Sequence, residues 1–87
     1  MSELHIASCV AFVKPERLDA VAALIEGTRL AEVPRRGDGR LVVLIERPSS
    51  GQVLDVMDAI RDLEGVLAVH LAYQHSESES DLQEPHT

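Results

Sequence analysis

Ser8, Glu46 and His70 are the residue types of a hydrolytic triad, in which a hydroxyl attacks, an imidazole moves its proton and a carboxylate orients the imidazole. The sequence around them argues against that chemistry. Ser8 stands in Ile6-Ala7-Ser8-Cys9-Val10, without the glycines of a nucleophile elbow, and a flat sheet offers no oxyanion hole. His5, His70, His75 and His86 are scattered, and no C-x-x-C loop is present, so metal ligation has no clustered donor set. Cys9, inside an apolar run, reads as a small buried hydrophobe and not a redox centre. Gly37 and Gly39 lead into no helix and cradle no phosphate. Arg35-Arg36 reads as a solvated loop, and Asp55, Asp58 and Asp62 as the wet face of a helix. The chain is therefore expected to be no enzyme and to carry no cofactor.

The elements that position these residues alternate along the chain. His5 to Val13 is short, apolar and rich in β-branched residues, which predicts a buried strand. Lys14-Pro15 punctuates, and proline suits the first helical turn because its missing N–H would be unpaired there. Leu18, Val21, Ala22 and Ile25 recur at helical spacing, with Gly27 placed for a left-handed cap. A weak strand is predicted over Arg29 to Val33, with Pro34 marking a sheet edge. Arg36-Gly37-Asp38-Gly39 signals a hairpin turn into the strong strand Leu41 to Ile45. A second helix opens at Ser49 or Ser50; Ser49 with Gln52 resembles a capping box. Its stripe is Val53, Val56, Met57, Ile60 and Leu63, and Gly65 ends it before a last strand, Val66 to Tyr73. This β-α-β-β-α-β order predicts an α+β, ferredoxin-like sandwich: a four-stranded antiparallel sheet in order 4-1-3-2, with both helices on one face.

The other face is then left with nothing of its own to cover it. Taking Ala7, Cys9, Ala11 and Val13, then Leu41, Val43 and Ile45, then Leu67, Val69, Leu71 and Tyr73 as helix-facing sets leaves an open face. Strict alternation places on it Ile6, Ser8, Val10 and Phe12 from the first strand, Val42, Leu44 and Glu46 from the third, and Val66, Ala68, His70 and Ala72 from the fourth. This is more apolar than a solvated sheet needs, and contiguous apolar surface marks an interaction site. A peptide or partner protein, a symmetric homodimer and a small-molecule pocket all remain open as occupants.

Length and composition narrow the partner. Eighty-seven residues make one domain with one modest core, and a 45% hydrophobic fraction is ample for it. Eight basic against 15 acidic residues give a net charge of −7, which excludes the basic footprint that nucleic acid or an anionic membrane requires. Phe12 and Tyr73 alone are aromatic, too few for a base-stacking platform. The charge is uneven. Residues 74–87 carry Glu77, Glu79, Asp81 and Glu84 with no basic residue, and are expected to be a disordered acidic tail; the predicted domain, residues 1–73, then carries only −3. A lone cysteine points to a reducing compartment. The start of the chain has no basic region, and Ile6 to Val13 is too short to span a bilayer, so a cytoplasmic protein without membrane insertion is expected.

The last strand is the most specific segment. Glu64-Gly65-Val66-Leu67-Ala68-Val69-His70-Leu71-Ala72-Tyr73 closely resembles the terminal strand of the NapD family, small chaperones of periplasmic nitrate reductase. The first strand with Ser8 and Lys14-x-Glu16-Arg17, the hairpin into Leu41-Val42-Val43 and the acidic end are also similar, so the resemblance spans roughly residues 5–75. The resemblance implies a cytoplasmic, cofactor-free chaperone, a monomer or weak homodimer. Its partner would be the twin-arginine signal peptide of the nitrate reductase catalytic subunit. Such a chaperone docks the peptide as a helix on its open sheet and delays Tat export until the molybdenum cofactor is inserted. The sequence departs from the family at His70 and through Arg35 to Arg40, positions that bear on peptide selectivity. Physically, the apolar face would accept the apolar side of a helix, and rim carboxylates, Glu46 first and Glu3 second, would pair with guanidinium groups. Apolar contact would supply most of the affinity and charge the orientation, because exposed ion pairs are worth only ~0–1 kcal/mol each. The competing reading is a dimeric ferredoxin-like ligand-sensing regulatory domain.

Overall fold

The computed structural model describes residues 3–78. Strand β1 is Glu3–Val13, followed by a 3-10 turn at Pro15–Arg17 and helix α1, Leu18–Gly27. Strands β2, Glu32–Gly37, and β3, Arg40–Arg47, form a hairpin; helix α2, Ser50–Arg61, leads to β4, Val66–Ser78. The sheet order is β2-β3-β1-β4, all neighbours antiparallel, which is the predicted ferredoxin-like α+β sandwich.

The core lies between the sheet and the two helices. From β1 it takes Ala7, Cys9, Ala11 and Val13, from β3 Leu41, Val43 and Ile45, and from the helices Val21, Ala22, Ile25, Val53, Val56, Met57 and Ile60; no polar residue is buried among the described ones. The helical stripes are those the spacing predicts except at the end of α2, which stops at Arg61 and not at Gly65, so Leu63 packs against the core from the turn that follows the helix. The small side chains of Ala7, Cys9 and Ala11 let α2 sit close to the central strand. Ser49 caps α2, its Oγ accepting from the Gln52 N–H at 3.2 Å.

Four details depart from the sequence expectation. First, α1 does not end on a left-handed Gly27. Arg29 takes that conformation (φ 59°), and the Leu30 and Arg29 N–H groups donate to Ile25 and Glu26 carbonyls, a Schellman closure. Second, this closure occupies residues 29 and 30, so β2 starts at Glu32 and not Arg29, and it runs on through Arg35 and Arg36, which are strand residues and not a loop. Third, β1 begins two residues early, at Glu3, and its exposed ladder recruits residues 74–78 into β4, with Glu3 opposite Ser78 and Ala7 opposite Gln74. The predicted boundary at residue 73 is thus corrected: the strand continues to Ser78, and residues 79–87 of the predicted tail lie outside the described residues. Fourth, β4 carries register shifts between Ser8/Cys9 and between Phe12/Val13, and there alternation fails.

Turns hold the frame together. Asp38 (φ 53°) and Gly39 (φ 73°) form the two-residue hairpin connection between paired Gly37 and Arg40, the left-handed pair that an Asp-Gly turn supplies. The Val13 N–H donates to the Gly39 carbonyl at 2.8 Å and the Lys14 N–H to the Gly65 carbonyl at 2.9 Å, tying the end of β1 to both neighbouring turns. Gly65 is left-handed (φ 96°), and a Cβ there would stand 2.6 Å from Arg17 Cβ. Gly65→Ala is therefore expected to destabilise the fold by about 2–3 kcal/mol, from backbone strain and the clash. Gly51→Ala, whose new methyl would meet only Ser49 Oγ at 4.0 Å, should be neutral or slightly stabilising in the same thermal melts. Equal effects of the two substitutions would refute this account of Gly65.

Candidate functional site

Directly paired residues of an antiparallel ladder share a face, so the register and the buried set assign every open-face side chain. On β1 these are Leu4, Ile6, Ser8, Val10 and Phe12, the complement of buried Ala7, Cys9, Ala11 and Val13. On β3 they are Arg40, Val42, Leu44 and Glu46, opposite Phe12, Val10, Ser8 and Ile6 respectively. Ile6, Ser8, Val10, Val42, Leu44 and Ala68 are half-buried, sheltered only by their neighbours, while Phe12, Glu46 and His70 are exposed.

The expected placements on β1 and β3 are those found. On β4, two are corrected. Val66 pairs with Val13 and packs against the core, so it faces the helices and not the open side. Ala72 has no partner on β1; it is the extra residue of the bulge that sets Tyr73 opposite Ser8. The first bulge leaves Leu67 unpaired and 63% exposed, so it is not a core residue either. Beyond Ala68 and His70, the open face of β4 therefore presents Tyr73 and His75, which strict alternation had turned inward or left in the tail. The side chain of Glu3 lies outside the described residues.

Rings line the β4 side of this face. Phe12 and His70 meet edge to face with centroids 5.5 Å apart, and Tyr73 stacks with His75 at 6.2 Å. The Arg40 guanidinium lies 6.0 Å over the Phe12 ring. On the β2 side the face has a charged border: Glu32 pairs with Leu44 and Arg35 with Val42. Sequence reasoning missed Arg40, Glu32 and Arg35. Extending the β3 alternation back by one step would have found Arg40. Glu32 and Arg35 depend on a register shift between them that no residue pattern announces.

The triad does not assemble. Ser8 sits opposite Leu44 and Tyr73, whereas Glu46 sits opposite Ile6 and His70 opposite Val10. Glu46 and His70 are thus two strands and four residue steps apart, roughly 16 Å at the usual strand spacings. Burial pushes the Cys9 thiol pKa up, so the thiol stays protonated at neutral pH and is a poor nucleophile. No group of three His, Cys, Asp or Glu among the described residues is placed to hold a metal ion, and none of their helices is long and apolar enough to cross a membrane. What the arrangement can do is bind: an apolar strip two strands wide, ring-lined on one side and charge-bordered on the other.

Comparison with known proteins agrees with a binding role. The family profile described as "NapD protein" matches residues 4–78. Chaperone NapD of Escherichia coli K12 is 28% identical over 79 residues, covering 88% of this chain and 91% of that relative. Chaperone NapD of Haemophilus influenzae is 22% identical over 78 residues, covering 87% and 84%. The solution structure of the E. coli Tat proofreading chaperone protein NapD superposes with a TM-score of 0.75 at 28% identity, covering 97% of this chain and 90% of that one. These relatives are named as chaperones, a non-enzymatic role.

Because the open face bears little of the fold's stability, Ala68→Asp should lower unfolding free energy by no more than about 1.5 kcal/mol, the range of a surface substitution in a strand. Val43→Asp, which buries an unpaired carboxyl at a site with no exposure, should abolish cooperative folding. Near-ultraviolet circular dichroism and chemical denaturation separate these outcomes; a folded Val43→Asp protein would contradict the assignment of faces.

Proposed function

The chain belongs to the NapD family, and from that premise we propose that it is a cytoplasmic chaperone for the twin-arginine signal peptide of a periplasmic nitrate reductase catalytic subunit. It holds the peptide on the open sheet face and delays Tat export until the molybdenum cofactor is in place. The protein acts as a monomer or weak homodimer, and its own chemistry needs no cofactor. The observation that carries the reading is the uncovered face itself. Ile6, Val10, Val42, Leu44 and Ala68 form an apolar strip, interrupted on the central strand by Ser8, over which none of the described residues forms a layer. Phe12, Glu46 and His70 border it, and Tyr73 stands opposite Ser8 in place of Ala72, while Val66 turns to the core.

A peptide that joins a basic pair to an apolar segment suits this surface. As a helix it lays an apolar stripe along the strip, gaining about 25 cal/mol for each Å² removed from water. The named chaperone relatives favour this reading over the ligand-sensing regulatory domain.

Calorimetric titration with a nitrate reductase signal peptide and its Arg-Arg→Gln-Gln variant tests it. Near 1:1 binding of the native peptide, and weaker binding of the variant, is expected; heat from neither would overturn the reading. Val10→Asp and Ala68→Asp should each weaken the native peptide at least about 10-fold, since a buried carboxyl without a partner costs more than ~1.4 kcal/mol. Unchanged binding by both folded variants would move the site off this face.

A further inference from the structure

We infer that the open face is electrically polarised along its strands and that this polarity holds the bound peptide in one direction. Its basic pair lies over the carboxylates of Glu32 and Glu46, and its apolar helix runs on toward Arg35 and Arg40. The inference rests on the signal-peptide reading above and goes beyond it by assigning the arginine subsite and the orientation.

The carboxylate end is a built feature of the fold. A shallow cavity of about 350 Å³ is lined by Glu32, Leu44, Glu46, Ala31, Arg29 and Arg47. Glu32 stands opposite Leu44, and Glu46 lies two residues further along β3, so the two residues stand on a diagonal of about 7–8 Å between backbone positions, with Leu44 beside them. Neither forms an ion pair among the described residues. Two arginines share the lining, but Arg47 is turned to the helix side. Its guanidinium donates to the carbonyls of Glu46 at 2.7 Å, Leu30 at 2.7 Å and Arg29 at 3.3 Å, closing the end of α1. Arg29 belongs to the left-handed turn that Arg47 secures. On the sheet face proper, the charged residues that β2 and β3 bring to this end are Glu32 and Glu46; His75 stands level with Glu46 across Ile6, and Arg29 shares the cavity lining. The spacing of Glu32 and Glu46 suits two successive arginines, whose long side chains diverge and whose guanidinium groups bond carboxylates in planar pairs.

The opposite end has the opposite sign. Arg40 covers Phe12, Arg35 stands opposite Val42, and a second cavity of about 180 Å³ is lined by Arg35, Arg36, Gly37, Asp38, Arg40 and Val42. Arg36 faces the helix layer, where it meets Asp19 at 3.5 Å, and leaves Arg35 and Arg40 to set the sign of the face against Asp38 in the turn. Glu46 and Arg40 are six residues apart on β3, roughly 20 Å, which is the length of a helix of about 13 residues. A helix of that length directed away from Glu32 and Glu46 presents its positive N-terminal end to the carboxylates and its negative C-terminal end to the arginines, so dipole and basic pair favour the same direction. Reversed, the peptide would set arginine against arginine, and its C-terminal carbonyls against carboxylates.

Two measurements on the full chain test this. Signal peptides carrying one nitroxide label, at the N-terminus or at the C-terminus, are added to isotope-labelled protein. The N-terminal label is expected to broaden the amides of Glu32, Leu44 and Glu46, and the C-terminal label those of Arg40, Val42 and Phe12; the reverse pattern would overturn the inferred direction. In titrations, the paired substitution Glu32→Gln with Glu46→Gln should weaken the Arg-Arg peptide about 5- to 20-fold and the Gln-Gln peptide less than about 2-fold, as expected for two exposed ion pairs at the upper end of their range. Equal losses for both peptides, or none for either, would refute the subsite while leaving signal-peptide binding intact. Peptide that binds yet broadens no open-face amide places a different occupant, such as a second copy of the chain, on the face, and overturns the inference. Absence of any binding to the wild-type protein is a failure of the signal-peptide reading itself.

Discussion

The two ladders of β1 are the constraint on which the rest depends. β1 is central, so from His5 to Phe12 it is paired with β3 on one edge and with β4 on the other. Its side chains then have only two directions. One is crowded by both helices and admits Ala7, Cys9 and Ala11 without exposure. The other receives no layer from the described residues. With two α-helices among the described residues, and both burying the first side, these elements leave the second open whatever residues stand on it. That it is nevertheless apolar on β1 and β3 follows from neither folding nor solubility, and it is the main physical indication of a partner.

Much of this was legible in the sequence because it depends on period and on local turn chemistry. The buried alternation of β1 and β3, the stripes from Val21 to Ile25 and from Val53 to Ile60, the Ser49 cap and the Asp38-Gly39 turn are local patterns, and each lies where its pattern puts it. What was not legible is long-range. Whether residues 74–78 are strand depends on whether β1 extends far enough back to pair with them, a property of Glu3 to Ala7 and not of the tail's own polar composition. The two shifts in β4 move Val66 to the core and Tyr73 to the open side without any glycine or proline to mark them. Nor does a sequence rule anticipate that Arg29, rather than Gly27, takes the left-handed position; the compensating contacts come from Arg47, far along the chain.

Under the proposed function, affinity and selectivity would fall to different parts of the surface. The strip from Ile6 to Val42 is apolar and half-sheltered, which gives binding strength that discriminates poorly among apolar helices. The charged groups at its ends sit in high dielectric, where each contact is weak but has a sign and a direction. A chaperone that must release its client benefits from this division. In the proposed role, strength can remain moderate while charges roughly 20 Å apart set the orientation.

The irregularities of the sheet are what place those charges. In an unbroken strand, Glu32 and Arg35 would point to opposite faces, because they are an odd number of residues apart. The shift between them, at the segment holding Val33 and Pro34, sets Glu32 opposite Leu44 and Arg35 opposite Val42, so both reach the open side while Val33 stays packed on the core. Proline belongs there, since it has no N–H to give to a ladder and this is an edge strand. The bulge of β4 at Ala72 acts alike, moving Tyr73 and His75 onto the face that holds Phe12 and His70, and the one at Leu67 turns Val66 off it. A perfectly regular sheet of this topology would keep the fully buried residues of β1 and β3 but would turn Val66 away from the core, and its face would lack Glu32 on one border or Tyr73 on the other. The core thus fixes that a face is left open, and the three departures from regular pairing decide what that face can recognise.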